Sequence, residues 1–216
     1  MNKAFIFDMD GVLIDTEREW TARNGGDIIN VFGEKIAQKL GDTIGATVRN
    51  EYQKAISMGY SMGYNEYLGR YDKEAAGVFS RAEVTGGVGQ LAEKLLKLNF
   101  KLGLVSSSPR KWIDFLLPRL SFSDKLEQIV SLNDRTDLKP KPEPDGYLEV
   151  LKNLEADPKL SFILEDSNSG IQAAKASGAY VIGFKGNLVD GYVQGGADVY
   201  ADTMDDVIKL VEAYSG

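Results

Sequence analysis

The chain has 216 residues, no His, no Cys and a formal net charge of −7, and its length allows one large domain or a core with a modest insertion. Without His or Cys it can form no Ser-His-Asp triad, no thiolate nucleophile and no zinc site of Cys and His. The negative charge provides no electrostatic footprint for nucleic acid. Acid–base and metal chemistry must therefore rest on carboxylates, Lys, Tyr and hydroxyl groups, which favour a hard cation such as Mg²⁺.

The hydropathy of the chain bears on its location. The apolar run at residues 4–7 is short and soon followed by acids, which is not typical of a signal peptide. No stretch approaches the roughly 20 apolar residues that a membrane span needs. We therefore expect a cytoplasmic protein with no membrane partner and no nucleic-acid partner. The sequence leaves the oligomeric state undetermined, and a monomer is compatible with it.

Five short apolar runs predict buried strands, and helical patterns lie between them. Leu91, Leu95 and Leu98, for example, recur at the spacing of one helix face. Strands that alternate with helices predict an α/β fold with a doubly wound, Rossmann-like parallel sheet. The predicted strands are residues 4–7, 101–106, 128–132, 160–164 and 180–184.

Residues 17–80 interrupt this alternation, because they contain helical patterns and many aromatic residues but no strand pattern. We predict that they form a small α-helical cap domain inserted after the first strand. The α/β core domain would then consist of residues 1–16 and 81–216, with hinges near 14–16 and 80–84. We expect the aromatic side chains to pack inside the cap, and contact with a substrate is the alternative.

Polar residues follow four of the predicted strands. Ligands of doubly wound sheets bind beyond the carboxyl ends of the strands, so these side chains are expected to gather at one edge. Each short motif is weak alone, since paired acids also begin helices and serines also cap them. Their occurrence in order after successive strands is the stronger signal. The residues are Asp8, Asp10 and Gly11, then Ser106 and Ser107, then Lys141, with Lys139 as its competitor, and finally Glu165, Asp166 and Asn168.

The same residues carry a resemblance to a known family. The segments DMDGV (8–12), LVSS (104–107), KPEPD (141–145) and EDSNSG (165–170) resemble the motifs of the haloacid dehalogenase (HAD) superfamily. The insertion after the first motif resembles the branch with a helical type 1 cap. This resemblance implies a HAD-type phosphatase: an Mg²⁺-dependent phosphomonoester hydrolase that acts on a small phosphorylated metabolite through an aspartyl-phosphate intermediate.

The resemblance also implies roles for individual residues. Asp8 would attack phosphorus, Asp10 would act as general acid and base, and Gly11 would let the backbone turn tightly after the strand. The phosphoryl group would contact Ser106, Lys141 and the backbone N–H of Ser107. The implied Mg²⁺ ligands are the carboxylates of Asp8 and Asp166 and the backbone carbonyl of Asp10, with Glu165 and Asn168 as outer-shell partners.

Three questions stay open on the sequence alone. A sugar phosphomutase similar to β-phosphoglucomutase is an alternative, although the cap-entry helix of such enzymes usually carries a His and this chain has Trp20 there. A noncatalytic receiver-like module that binds phosphate is a further alternative. Arg23, Arg49 and Arg70 of the predicted cap either reach a second anionic group of the substrate or are ordinary surface charges.

Overall fold

A parallel sheet of six strands forms the centre of the computed structural model, which describes residues 2–21, 26–41 and 44–215. The strands are β1 (Lys3–Phe7), β2 (Phe100–Ser106), β3 (Leu126–Ser131), β4 (Phe162–Glu165), β5 (Tyr180–Phe184) and β6 (Val199–Ala201). Their order is β3-β2-β1-β4-β5-β6, and every neighbouring pair is parallel. The order reverses at β1, so the sheet has the switch point at which doubly wound proteins bind ligands.

After β1 and up to Arg81, the described residues form five helices, which we call the helical insertion: α1 (Thr16–Thr21), α2 (Gly26–Phe32), α3 (Glu34–Leu40), α4 (Val48–Ser57) and α5 (Tyr64–Arg81). The helices that follow belong to the layers around the sheet: α6 (Val88–Lys97), α7 (Arg110–Leu116), α8 (Asp145–Asn153), α9 (Asn168–Ala176) and α10 (Met204–Ser215).

The sheet is covered on both faces, because successive side chains of a strand point in opposite directions. Phe5 and Phe7 of β1 join an apolar cluster that includes residues of α6 and α10. Ala4 and Ile6 join a second cluster on the other face, together with residues of α8 and α9. A strand that is apolar on both sides is typical of a parallel sheet between two helical layers. The predicted α/β doubly wound fold is therefore confirmed.

Aromatic side chains form the interior of the helical insertion. Tyr67 is fully buried, its hydroxyl donates to the carbonyl of Val48 at 2.9 Å, and its ring lies 5.3 Å from that of Phe32. The rings of Tyr52 and Tyr60 also pack against the ring of Tyr67, with centroid distances of 5.0 and 6.2 Å. Burial of such large rings helps to hold the short helices together.

The two segments that connect the helical insertion to the sheet run side by side. Ile14 and Val84 form an isolated antiparallel bridge, and the amide of Asp15 donates to the carbonyl of Glu83 at 2.9 Å. These segments coincide with the hinges expected from the sequence. The division into a cap at 17–80 and a core at 1–16 and 81–216 stays a prediction.

Several details of the sheet differ from the sequence-based expectation, and the third strand, for example, is Leu126–Ser131 rather than 128–132. The fourth strand begins at Phe162 rather than at residue 160, because Pro158–Leu160 form a 3₁₀ turn that the Asp157 side chain caps. The sixth strand, Val199–Ala201, was not predicted, because three residues are too few to show an alternation of apolar and polar side chains. No helix among the described residues is long and apolar enough to cross a bilayer.

Two glycines provide a test of the packing on the sheet. A Cβ at Gly103 would lie 2.6 Å from Cγ1 of Val150, whereas a Cβ at Gly69 on α5 would meet nothing within 4 Å. We expect Gly103→Ala to lower the free energy of unfolding in urea by about 1–3 kcal/mol through overpacking. The control Gly69→Ala should raise it by about 0.5–1 kcal/mol, because Ala favours a helix. Equal effects of the two variants would contradict this packing of α8 on β2.

Candidate active site

The carboxyl ends of β1 and β4 bring three acidic side chains together. Asp8 follows β1, Glu165 ends β4 and Asp166 follows it. The amide of Asp8 donates to the carbonyl of Leu164 at 3.0 Å, which holds the two strand ends side by side. One carboxylate oxygen of each acid lies within 4.8 Å of the corresponding oxygens of the other two, and all three residues are buried. The predicted convergence of residues 8, 165 and 166 is thus present.

Lys141 supplies the positive charge of this cluster. Its ammonium lies 2.5 Å from Oδ1 of Asp8 and 2.5 Å from Oε1 of Glu165, and its side chain is 1% exposed. Lys139, the competing lysine, is exposed. The structure therefore places Lys141, and not Lys139, beside the carboxylates. A buried ammonium between two carboxylates is held firmly, because neither charge can be left unpaired in the interior.

Glu165 orients Lys141 rather than facing the cleft. It is 0% exposed, and Oε1 also accepts a hydrogen bond of 2.7 Å from the Tyr147 hydroxyl. Its other oxygen accepts from the amide and the hydroxyl of Ser167 at 3.0 and 3.1 Å. Gly170 makes room for it, since a Cβ there would lie 1.7 Å from Oε1 of Glu165. Both carboxylate oxygens are therefore satisfied by the protein itself.

Asp10 is held by two hydroxyl groups. Thr16 donates to Oδ1 and Ser108 donates to Oδ2, both at 2.7 Å. These bonds connect three parts of the chain: the end of β1, the first helix of the insertion and the loop after β2. Burial raises the pKa of Asp10, and the hydrogen bonds from Ser108 and Thr16 oppose that rise. A carboxyl group in such surroundings is suited to hold and release a proton.

Gly11 and Asp166 fit together closely. Gly11 has a φ of +73°, and a Cβ at this position would lie 2.0 Å from Oδ2 of Asp166. Asp166 is 2% exposed, and within the described residues no donor forms a hydrogen bond with its carboxylate. The carboxylate of Asp166 lines the cleft, where a bound cation would neutralise it. The donor set of Asp8 and Asp166, both hard oxygen ligands, fits a divalent cation such as Mg²⁺.

Burial and mutual repulsion shape the pKa values of the cluster. Burial and the neighbouring carboxylate of Glu165 raise the pKa of Asp166, and burial raises the pKa of Asp8 although Lys141 opposes it. Burial alone would lower the pKa of Lys141, but the carboxylates of Asp8 and Glu165 raise it by more. Lys141 therefore stays protonated, whereas the ionised forms of Asp8 and Asp166 are disfavoured unless a further positive charge lies beside them.

The serines after β2 occupy different depths. Ser106 is fully buried, and its hydroxyl accepts a hydrogen bond from the amide of Ser108 at 2.9 Å. The hydroxyl of Ser107 donates to the carbonyl of Gly45 in the helical insertion at 2.8 Å. Ser107 and Ser108 line the cleft beside the acids. Ser106, which was expected to contact the phosphoryl group, is thus buried and does not line the cleft, and Ser107 also joins the core to the insertion.

A cleft of about 370 Å³ separates this edge of the sheet from the helical insertion. At the sheet side it is lined by Asp8, Asp10 and Asp166 with the two serines. At the insertion side its lining is largely apolar and aromatic and includes Trp20, Ile28, Leu40, Ile44, Val48 and Tyr71 together with Glu17 and Glu51, and Trp112 of α7 adds a further ring. A cleft of this size accommodates a small metabolite.

The prediction that Asn168 joins the outer metal shell needs correction. Its side-chain amide donates to the carbonyl of Val193 at 2.9 Å, and its side-chain oxygen accepts from the amide of Gly195 at 2.9 Å. Because both ends of the amide are bonded to this loop, Asn168 is directed away from Asp166. It fastens the loop after β5 to the start of α9.

The cap arginines do not line the cleft where the structure describes them. The guanidinium of Arg49 lies 5.9 Å from the ring centre of Tyr64. Arg70 pairs with Glu66 one helical turn away, and both side chains are at least half exposed, at 50% and 64%. Arg23 lies outside the described residues. The surface interpretation therefore fits Arg49 and Arg70.

Three residues of the site were not singled out from the sequence. Thr16 and Ser108 hold Asp10, and Tyr147 holds Glu165. Ser108 stands in the same serine run as Ser106, so the run offered a signal without showing which hydroxyl meets which acid. Thr16 and Tyr147 carry no motif, and only the folded chain brings them to their acids.

Known proteins resemble this chain over the region that contains these motifs. Residues 5–184 match the family model described as haloacid dehalogenase-like hydrolase. A phosphorylated carbohydrates phosphatase from Thermotoga maritima is 30% identical over 179 residues, which cover 82% of this chain and 82% of the relative. A beta-phosphoglucomutase from Bacillus subtilis is 29% identical over 221 residues, which cover 97% and 93%. A solved beta-phosphoglucomutase from Clostridium difficile shares the fold, with a TM-score of 0.71 at 21% identity over 100% of this chain and 97% of its own.

Tyr147→Phe tests the support of the charged cluster. Tyr147 is 1% exposed, and removal of its hydroxyl takes one donor from the buried Glu165. We expect the free energy of unfolding in urea to fall by about 1–3 kcal/mol, since the lost bond is to a charged group. Tyr200→Phe is the control, because Tyr200 is 36% exposed and its change should stay within about 0.5 kcal/mol. Equal stability of both variants would show that the Tyr147 bond contributes nothing.

Proposed function

The chain belongs to the haloacid dehalogenase-like hydrolases, and from this membership and its site we propose that it is an Mg²⁺-dependent phosphomonoester hydrolase that acts through an aspartyl phosphate. The membership confirms the resemblance expected from the sequence. The relatives named as phosphatases also support the predicted enzyme class, a phosphatase. The observation that carries the finer proposal is the buried contact of the Lys141 ammonium with Asp8, which lines the cleft.

Asp8 is the proposed nucleophile. It lines the cleft directly after β1, and Lys141 fixes its Oδ1. An oxygen of Asp8 would form a bond to phosphorus as the bond between phosphorus and the alcohol oxygen breaks. The ammonium of Lys141 and the backbone N–H of Ser107 would then be near the charge on the phosphoryl oxygens. Ser106 would support this loop from beneath.

Asp10 is the proposed general acid and base. Thr16 and Ser108 fix both of its oxygens, so its carboxyl group is held at one place beside Asp8. It would give a proton to the departing alcohol oxygen in the first step. It would then take a proton from the water that attacks the aspartyl phosphate in the second. This division of labour needs two carboxylates with different partners, and Asp8 and Asp10 have different partners.

Mg²⁺ is the proposed cofactor, held by Asp8, Asp166 and the backbone carbonyl of Asp10. When bound, it would supply positive charge that stabilises the phosphoryl oxygens. The buried carboxylate of Asp166, to which no described donor is bonded, supports this assignment. Glu165 contributes by keeping Lys141 in place rather than as a ligand.

The helical insertion is the proposed cap. It provides one wall of the cleft, and Gly45 contacts the serine loop of the core through Ser107. Opening at the paired connecting segments would admit substrate, and closing would keep bulk water from the acids. The substrate would be a small phosphorylated metabolite, and the names of relatives make phosphorylated carbohydrates the first compounds to examine.

A phosphomutase is the second candidate, because the relative named beta-phosphoglucomutase matches 97% of this chain. The two activities diverge after the aspartyl phosphate forms: a hydrolase passes the phosphoryl group to water and a mutase returns it to a sugar. The chain has no His, and Trp20 lines the cleft on the cap-entry helix. Conversion of glucose 1-phosphate into glucose 6-phosphate without release of phosphate would favour the mutase.

Replacement of the nucleophile is the first test. Asp8→Asn keeps the shape of the side chain but removes the anionic oxygen, so the rate of phosphate release should fall by roughly three orders of magnitude or more. The measurement is phosphate release from a panel of phosphomonoesters with Mg²⁺. Asp205→Asn, at an exposed position of α10, is the matched control and should keep normal turnover. Normal turnover of Asp8→Asn would refute the proposal.

Removal of the metal is the second test. Three buried carboxylates face one ammonium, so an incoming phosphate dianion meets excess negative charge without a divalent cation. Protein treated with EDTA should lose phosphatase activity and regain it with Mg²⁺. Asp166→Asn should raise the Mg²⁺ concentration for half-maximal activity by at least about tenfold. Full activity in EDTA, or an unchanged Mg²⁺ requirement of Asp166→Asn, would contradict the assignment.

A further inference from the structure

The loop after β5 places the side chain of Gln194 against the backbone of the acidic cluster. Its amide nitrogen Nε2 donates to the carbonyl oxygen of Asp166 at 2.7 Å and to those of Glu165 and Phe184 at 3.2 Å. An amide group has two N–H donors, so these three carbonyl oxygens share them. Gln194 therefore ties the end of β4, where two of the acids lie, to the end of β5.

The carbonyl groups set the orientation of this amide. All of its hydrogen bonds to the described residues are made by the nitrogen, because the buried Oε1 of Gln194 accepts none from them. A half-turn of the amide would place Oε1 against three carbonyl oxygens, and two acceptors that face each other repel. The contact with the backbone of Glu165 and Asp166 is therefore specific to the donor end of Gln194.

Asp166 depends on its backbone for the direction of its side chain. Its carboxylate lines the cleft, and no described donor forms a hydrogen bond with that carboxylate. Asp10 differs, because hydroxyl groups hold both of its carboxylate oxygens. The contacts that restrain Asp166 are the close fit of its carboxylate against Gly11 and the bond of its carbonyl oxygen to Gln194.

The loop that carries Gln194 is itself bound to the start of α9. The side-chain amide of Asn168 donates to the carbonyl of Val193, and its side-chain oxygen accepts from the amide of Gly195, both at 2.9 Å. The hydroxyl of Tyr192 accepts from the backbone amide of Asn168 at 2.8 Å. The residues just before and just after Gln194 are therefore fixed, and the glutamine reaches the acids from a supported position.

We propose that Gln194 is a positioning residue of the metal site: it holds the backbone of residues 165 and 166, so that the carboxylate of Asp166 is preorganised to bind the cation. This inference rests on the proposed function, which assigns Mg²⁺ to Asp8 and Asp166. Residues that orient metal ligands increase metal affinity, because a ligand already in place loses less conformational freedom on binding. The same amide also holds the carbonyl of Glu165, whose carboxylate contacts Lys141.

Calorimetric titration of the protein with Mg²⁺, in the absence of substrate, tests the inference. Gln194→Met keeps the length of the side chain but removes both N–H donors, so the dissociation constant for Mg²⁺ should rise by about tenfold. Gln90→Met makes the same change at an exposed position of α6 and should bind Mg²⁺ as the wild-type protein does. Partial unfolding would lower the number of sites per chain without changing the dissociation constant, so the titration separates positioning from a general loss of structure.

A second variant and a rate measurement complete the test. Gln194→Asn keeps an amide but is one methylene shorter, so it withdraws the donors from the carbonyl groups and should also weaken Mg²⁺ binding. Gln194 does not line the cleft, so at saturating Mg²⁺ both variants should regain at least about half of the wild-type kcat. An unchanged dissociation constant in either variant, a loss of kcat that excess Mg²⁺ does not restore, or failure of both variants to fold would overturn the inference.

The same measurements separate this inference from the function on which it rests. If the wild-type protein releases phosphate with Mg²⁺ and both Gln194 variants bind Mg²⁺ equally well, the phosphatase stands and the role of Gln194 is wrong. If the wild-type protein binds Mg²⁺ more tightly than the variants but releases no phosphate from any phosphomonoester, the proposed function fails and the positioning role stands. If the wild-type protein binds no Mg²⁺, the metal site and the role of Gln194 fail together.

Discussion

The buried contact of the Lys141 ammonium with Asp8 and Glu165 is the interaction on which the site depends. The side chains of Lys141, Asp8 and Glu165 are 1%, 8% and 0% exposed, so none of these charges could be kept without the others. They come from the end of β1, the segment before α8 and the end of β4. Because these segments meet only in the folded sheet, formation of the sheet and assembly of the charged cluster are coupled.

The two sides of the cleft differ in the kinds of residues that line them. At the sheet side one ammonium faces three carboxylates, which leaves two negative charges for a divalent cation to offset. At the insertion side Glu17 and Glu51 lie among aromatic rings. The proposed metal dependence follows from the excess of carboxylates over ammonium groups at the sheet side.

The positions of the site residues relative to the strand ends explain which of them could be predicted from the sequence. Asp8, Lys141 and Glu165 follow apolar runs whose parallel order follows from the alternation of strands and helices, so their convergence could be predicted. The bond from Ser108 to Asp10 could not, because side-chain rotations in a serine run leave no pattern. Asn168 was misjudged for a similar reason: adjacency to the acids suggested a shared role, but its amide is satisfied by the loop after β5.

Asp8 is the proposed nucleophile in a covalent step, and detection of its bond to phosphorus is the most direct test of the proposed mechanism. The protein is mixed with a hydrolysed phosphomonoester and Mg²⁺, quenched in acid during turnover, and the peptide that contains Asp8 is analysed by mass spectrometry. The expected result is one phosphoryl group on Asp8 that appears before phosphate is released and then declines. Release of phosphate at full rate with Asp8 unmodified at every quench time would contradict the account.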